Sequence, residues 1–319
     1  MGSGERELRG HAAGGALSNW QSKTPKILRM GSAVRSRIDV ADGHRVELLS
    51  WLPVTQPRAV VQIAHGMGEH AARYERVARA LVAAGHAVYA NHHRGHGPAA
   101  AAAGTLGDFG AGGFAAVVAD MARVSAHARA QHPGAPLLLL GHSMGSFAAQ
   151  LYLLDHHRLV SGVALSGTAA TELRFANREP NRKLQDMNAW IEQPRTPFDW
   201  LSRDAHEVDA YITDPLCGFT ITQASRQSMF EACDRLSARD AFAALPKKLP
   251  VVLFTGDQDP VNNHLAWFHP LVHRLRHAGL SDVQTRIYSG ARHEVLNETN
   301  RNEVTADLLA WVERAIGKS

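Results

Sequence analysis

The chain has little cysteine. Two residues in 319, Cys217 and Cys233, exclude a disulfide framework and fit a reduced compartment, each thiol being expected in a core or a packed insertion. It also lacks a long hydrophobic run. Nothing approaches the ~18 consecutive apolar residues that a membrane-crossing helix needs. Charge of one sign is scarce as well: the formal net charge is +4, and Lys and Arg are scattered rather than clustered, so a nucleic-acid partner is not expected. The first residues carry no apolar core of a secretory signal. The expectation is a cytoplasmic protein. Residues 1–30, rich in Gly and polar side chains with no sustained period, are read as a flexible extension without a part in chemistry.

What the chain does have is a regular alternation. Val34, Ile38 and Val40 alternate with polar residues, Asp42-Gly43 supplies a turn, and Val46 and Leu48 alternate on the way out, which predicts a hairpin. Short apolar runs follow at Val60–Ala64, Ala87–Ala90, Leu137–Leu140, Gly162–Leu165, Val251–Phe254 and Thr285–Tyr288. Between them lie helical patterns, such as Tyr74, Val77, Leu81 and Val82 on one face with Gly85 placed to end the helix. Near-continuous apolar strands alternating with helices predict an α/β fold, a mostly parallel sheet covered on both faces, with the hairpin as an antiparallel edge.

One region breaks the alternation. Residues 168–240 hold no clear buried strand but carry Trp190, Phe198, Trp200, Phe219 and Phe230. A connection that long is expected to be an insertion with its own helices, a cap or lid. The domain reading is therefore a core of 31–167 and 241–319 with a helical cap at 168–240. The cap aromatics either pack a small core of their own or line an apolar pocket; Trp190, Phe198, Trp200 and Phe219 are the candidates for the second role.

The chemistry starts at Gly141-His-Ser-Met-Gly145. The four-leucine strand precedes it, and a helix with Phe147, Leu151 and Leu154 on one face follows. This strand–turn–helix setting lifts a serine hydroxyl to the top of a sheet, and glycines at 141 and 145 let strand and helix approach. A serine needs a base to take its proton and a group to orient that base. In such a sheet the acid follows a later strand and the histidine follows the last. Thr255-Gly-Asp-Gln-Asp259 offers Asp257 and Asp259, between which spacing does not choose. Ser289-Gly-Ala-Arg-His293 offers His293. His264, His269, His273 and His277 fall on an intervening helical stretch, and His156 and His157 are read as exposed at a helix end. His65-Gly66-Met67-Gly68 follows the first buried strand, and its glycines allow backbone N–H groups to turn toward one point. The donors expected are the N–H groups of Met67 and Met144, with Gly66 and His142 beside them at the substrate. His92, His93 and His96 lack a nearby carboxylate or cysteine, so no metal site is expected there.

In these motifs the chain resembles the α/β-hydrolases of the monoacylglycerol lipase and bacterial lysophospholipase group, a serine aminopeptidase-type family. The matching segments are His65-Gly-Met-Gly-Glu-His70 with Arg73-Tyr74, His93-Arg-Gly-His-Gly97, Gly141–Gly145, Gly256-Asp-Gln-Asp259 and Gly290-Ala-Arg-His293, spanning about residues 35–316. The resemblance implies a serine esterase with a mobile helical cap, favours Asp259 over Asp257, and gives the His92–His96 turn a structural role. Two departures, His92 where Asp is usual and Pro98 where Ser is usual, bear on local hydrogen bonding. It further implies Ser143, Asp259 and His293 as the catalytic set acting on a single-acyl-chain ester, lysophospholipid or monoacylglycerol, with no cofactor. Beyond that small-molecule substrate, the reading admits only a transient membrane-surface contact through the cap. The alternatives are a short-chain carboxylesterase or peptidase on the same fold, and a non-catalytic binding protein on a hydrolase scaffold.

Overall fold

The computed structural model describes residues 1–2, 33–177, 181 and 183–317. The extension read at 1–30 lies, apart from its first two residues, outside the described residues. The hairpin forms as expected from β1 (Val34–Asp39) and β2 (Arg45–Trp51), with the turn at Asp42-Gly43 closed by Val40 N–H donating to His44 O at 3.0 Å. Alternation then begins with β3 (Val60–Ala64), α1 (Glu75–Ala83), β4 (Ala87–Asn91), α2 (Gly97–Ala102) and α3 (Gly113–Gln131). It continues with β5 (Leu137–His142), α4 (Met144–His156), β6 (Gly162–Ser166) and α5 (Thr171–Arg174). After the insertion helices α6 (Ala205–Thr213) and α7 (Gln223–Cys233) the chain returns to the sheet. It ends with β7 (Val251–Gly256), α8 (Phe268–His277), β8 (Val283–Tyr288) and α9 (Arg301–Ile316). Helix α2 has no counterpart in the periodicity because its Gly-Pro-Ala-Ala-Ala-Ala sequence has no polar face to alternate with an apolar one.

The eight strands form one sheet in the order β1-β2-β4-β3-β5-β6-β7-β8. The β1–β2 and β2–β4 pairs are antiparallel and every later pair is parallel. The sheet is thus mostly parallel and covered on both faces, as the alternation predicts. The four leucines of β5 show why the run is unbroken: Leu137 and Leu139 enter the core beneath α3 and α4, while Leu138 and Leu140 enter the core beneath α1 and α9. Neighbouring side chains on a strand point to opposite faces, so a strand covered twice has no polar position.

Between β6 and β7 the described residues contain helices and 3₁₀ turns and no strand. Their apolar side chains do not form a separate core. Met187, Phe198, Trp200, Val208, Tyr211 and Phe230 belong to the same buried cluster as α3, α4 and α8. Of the two cysteines, Cys233 is buried and Cys217 half-buried, and both are free.

Candidate active site

Ser143 stands between β5 and α4 with φ 52° and ψ −122°, a conformation that a residue with a side chain adopts only under constraint. The constraint comes from its two glycines. A Cβ on Gly145 would lie 2.2 Å from Ala64 O and 2.5 Å from His65 O, and one on Gly141 would lie 2.6 Å from Gly145 O. Strand β3, strand β5 and the first turn of α4 therefore meet backbone to backbone, and Ser143 is forced outward. Its own N–H donates to Ser166 O at 2.9 Å, tying the corner to β6. The Ser143 side chain lines a cavity, and its Oγ has no protein hydrogen bond among the described residues.

The two aspartates after β7 take different places. Asp259 is fully buried; its Oδ1 accepts from Val261 N–H at 2.8 Å and lies 2.9 Å from His293 Nδ1, while Asn262 Nδ2 donates to Oδ2 at 3.3 Å. Asp257 instead accepts from Gly290 N–H at 2.8 Å and pins the loop after β8. A carboxylate only accepts, so in the neutral ring the His293 proton sits on Nδ1 and the lone pair on Nε2. That Nε2 is buried without a hydrogen-bond partner. The ring is wedged between Trp200 and His142, with centroids 5.0 and 4.8 Å away. Gly167 opens the remaining side: at φ 56°, it carries no Cβ where one would lie 2.7 Å from His293 Cε1.

Around Met67 the backbone donors are sorted. Gly66 N–H is taken by Glu69 Oε1 at 2.5 Å and Gly68 N–H by His96 Nε2 at 3.3 Å. The N–H groups of Met67 and Met144 have no acceptor among the described residues. Gly66 must be bare for the approach, since its Cβ would sit 3.1 Å from Ser143 Cβ.

A buried charge network that the sequence does not announce holds this loop to the histidine loop. Arg73 donates to Glu69 Oε2 at 2.8 Å and to both oxygens of Glu294 at 2.6 and 2.8 Å, and Tyr74 O–H donates to Glu69 Oε1 at 2.8 Å. Burial alone would push the Glu294 carboxyl upward, but Arg73 overrides it and holds the pKa at about 2. The signal for Glu294 was its place directly after His293, which carries no chemistry by itself.

The histidines of the β4–α2 turn are buried acceptors. His93 N–H donates to His65 Nε2 at 3.0 Å, whose Nδ1 donates to Gly66 O at 2.8 Å; Ala71 N–H donates to His92 Nδ1 at 3.4 Å. Each such acceptor must be neutral. Burial depresses His92 and His96 to about 4 and His93 to about 3, and His142, buried beside His293, to about 4. His92 fits where Asp was expected because Gly97 leaves room: a Cβ there would be 2.5 Å from its ring. Among the described residues the one grouping with metal-ligand character is His70, Asp214 and Cys217, whose ligand atoms lie within 4.8 Å of one another. His70 Nε2 and Asp214 Oδ2 already share a 2.7 Å hydrogen bond, which fastens the loop after β3 to the segment after α6.

The cavity beside Ser143 has a volume of about 60 Å³, and Met67, Met144, Val261, Leu184, Met187 and Met229 are among the residues that line it. Of the four candidate aromatics only Trp200 lines it. Phe198 packs on Tyr211, and Phe219 on His96 at 5.0 Å. Trp190 is 61% exposed and meets His264 edge to face. The short turns between β6 and β7 leave these three rings out of the cavity lining, which composition does not reveal. His156 and His157 are half-buried rather than exposed, because His157 Nδ1 turns back to donate to Leu153 O at 3.1 Å.

Comparison with known proteins adds the following. The family model described as serine aminopeptidase, S33, matches residues 55–300. A monoacylglycerol lipase of Mycolicibacterium smegmatis is 31% identical over 297 residues, 89% of this chain and 99% of that protein. The human monoglyceride lipase is 29% identical, covering 86% of this chain and 88% of its own. A thermostable carboxyl esterase from Bacillus coagulans, solved with glycerol, superposes with a TM-score of 0.80 at 28% identity, over 89% of this chain and 99% of that one.

Proposed function

The chain belongs to the serine aminopeptidase S33 family of α/β-hydrolases and is a carboxylic-ester hydrolase; from that premise we propose that it cleaves single-acyl-chain lipid esters, lysophospholipid or monoacylglycerol, through Ser143, His293 and Asp259. Residues 168–240 act as the lid over the site in this reading, and no cofactor takes part.

Ser143 Oγ attacks the ester carbonyl as His293 Nε2 takes its proton. Asp259 holds the ring in the tautomer with the proton on Nδ1 and stabilises the imidazolium that forms. The N–H groups of Met67 and Met144 receive the oxyanion. His293 then hands the proton to the leaving alcohol, and water releases the fatty acid from Ser143 by the same steps in turn. The observation that carries this reading is the His293–Asp259 pair at 2.9 Å, with Nε2 unpartnered among the described residues, beside a serine held at positive φ in the wall of a largely apolar cavity. The names of the relatives, a monoacylglycerol lipase and a monoglyceride lipase, support the choice of a single acyl chain.

The test is fatty-acid release from long-chain monoacylglycerol and lysophosphatidylcholine, with a butyryl nitrophenyl ester alongside and Ser143→Ala as blank. Release from a long-chain lipid, lowered about 10⁶-fold in the variant, is expected. Turnover of the short ester alone would keep the serine chemistry and discard the lipid.

A further inference from the structure

The cavity above Ser143 is not uniformly apolar. Arg226, on the first turn of α7, lines it and is 9% exposed. Its guanidinium has no carboxylate partner and no hydrogen bond among the described residues. None of its nitrogens is sealed off without a partner, so the fork reaches open volume, and the volume Arg226 lines is the cavity. Arg94, buried to a similar degree, lies between Asp42 and Asp120, and Arg73 between Glu69 and Glu294. Arg226 stands apart from both. Lys183 lines the same cavity, and among the described residues no Asp or Glu does.

A buried cation without an anion is unfavourable, and burial pushes the Arg226 guanidinium pKa down. The arrangement becomes favourable when a ligand brings the negative charge. The rest of the wall, with Phe147, Phe175, Leu184, Met187 and Phe230, suits an acyl chain. A ligand that fills both parts and presents an ester to Ser143 joins one chain to one anion.

We propose that Arg226 determines headgroup specificity by receiving the phosphate of a monoacyl phospholipid, so that the preferred substrate is an anionic lysophospholipid rather than a neutral monoacylglycerol. The guanidinium fork matches two phosphate oxygens, which an ammonium cannot do. Arg174, which also lines the cavity, stacks over Phe175 and Trp267. The proposal rests on the ester-hydrolase reading of Ser143 for its kinetics, but its binding arm does not.

The kinetic arm compares kcat/KM for lysophosphatidate and monoacylglycerol of one chain length in the wild type, Arg226→Gln and Arg226→Lys. The wild type is expected to prefer the phosphate substrate. Arg226→Gln should lose about 10- to 100-fold on it while the neutral ester changes little, and Arg226→Lys should fall between. The binding arm measures dodecyl phosphate, dodecanoate and dodecanol by calorimetry in the same proteins. Phosphate binding that depends on Arg226, with dodecanol indifferent to it, supports the subsite even where no lipid is turned over, and separates it from a failed lipase reading. Dodecanoate binding as tightly as dodecyl phosphate, with the same dependence, would assign the subsite to a carboxylate and overturn the phosphate. Equal losses on both esters, or dodecanol binding as well as the phosphate, would remove Arg226 from recognition. Because the charge is unpaired among the described residues, Arg226→Gln should not lower the melting temperature; a lowered one would point to a structural role.

Discussion

Gly167 has no side chain because His293 occupies the space. Its φ of 56° disfavours any Cβ, and the atom would press on Cε1 of the imidazole at 2.7 Å and on His142 at 3.1 Å. Gly167→Ala is therefore expected to displace the ring from Asp259 and lower kcat by about 10²-fold, with KM for a short ester little changed. An unaltered kcat would mean that the ring has slack. The aspartates after β7 separate at the same scale. Asp259→Asn keeps the shape and reverses the hydrogen bond to His293, so kcat should drop about 10⁴-fold. Asp257→Asn leaves the oxygen that accepts from Gly290 and should be nearly silent. A reversed outcome in these two variants would transfer the acid role to Asp257. Spacing left both open, since either can stand after the strand; in the structure burial and the His293 contact distinguish them.

At the scale of elements, the strands and the serine corner were legible because their causes are local. The apolar runs of β3 to β7 follow from being covered on both faces, and Gly141 and Gly145 follow from the backbone approach of α4 to β3. What joins the loops is not local. Arg73 reaches Glu294, 221 positions away, and so links the loop after β3 to the loop after β8. No period or motif encodes that pairing, and the same holds for the short turns that aim Trp190 outward and Trp200 inward. The link carries stability. Arg73→Met would leave two buried carboxylates facing each other without a cation, and a loss of about 3–5 kcal/mol is expected in denaturant unfolding. Its pH dependence has a definite sign. Glu294 has a folded pKa near 2 against an ordinary 4.5, so its contribution is complete above about 4.5 and fades as pH falls toward 2. Above about pH 5.5, where the chain is folded, wild type should therefore exceed Glu294→Gln in melting temperature by a margin that does not change with pH, and equal melting temperatures there would dismiss the ion pair as a source of stability.

At the scale of the whole molecule, histidines rather than carboxylates should set the acid limit. His92, His93, His96 and His142 are held neutral by burial, with pKa values of about 4, 3, 4 and 4 against an ordinary 6.5, and His65 is depressed by the same cause. Below pH 6.5 the unfolded chain binds these protons and the folded chain does not, so every step down in pH favours unfolding. Each of the four sites forfeits about 1.4 kcal/mol per pH unit in this range, and together they remove about 5–6 kcal/mol by pH 5.5. A domain of this kind has about 5–15 kcal/mol in all. Cooperative unfolding is thus expected between pH 5.5 and 4.5, before Glu294 is touched, and tryptophan fluorescence against pH reads it directly. His92→Asn replaces one acceptor with a group that does not titrate, and should shift the midpoint downward by a few tenths of a pH unit if the fold accepts it. Should the wild type stay folded at pH 4 with an unchanged melting temperature, the turn histidines must take up protons in place, and the hydrogen bonds from Ala71 and His93 to neutral imidazoles would be the part of the structure to revise.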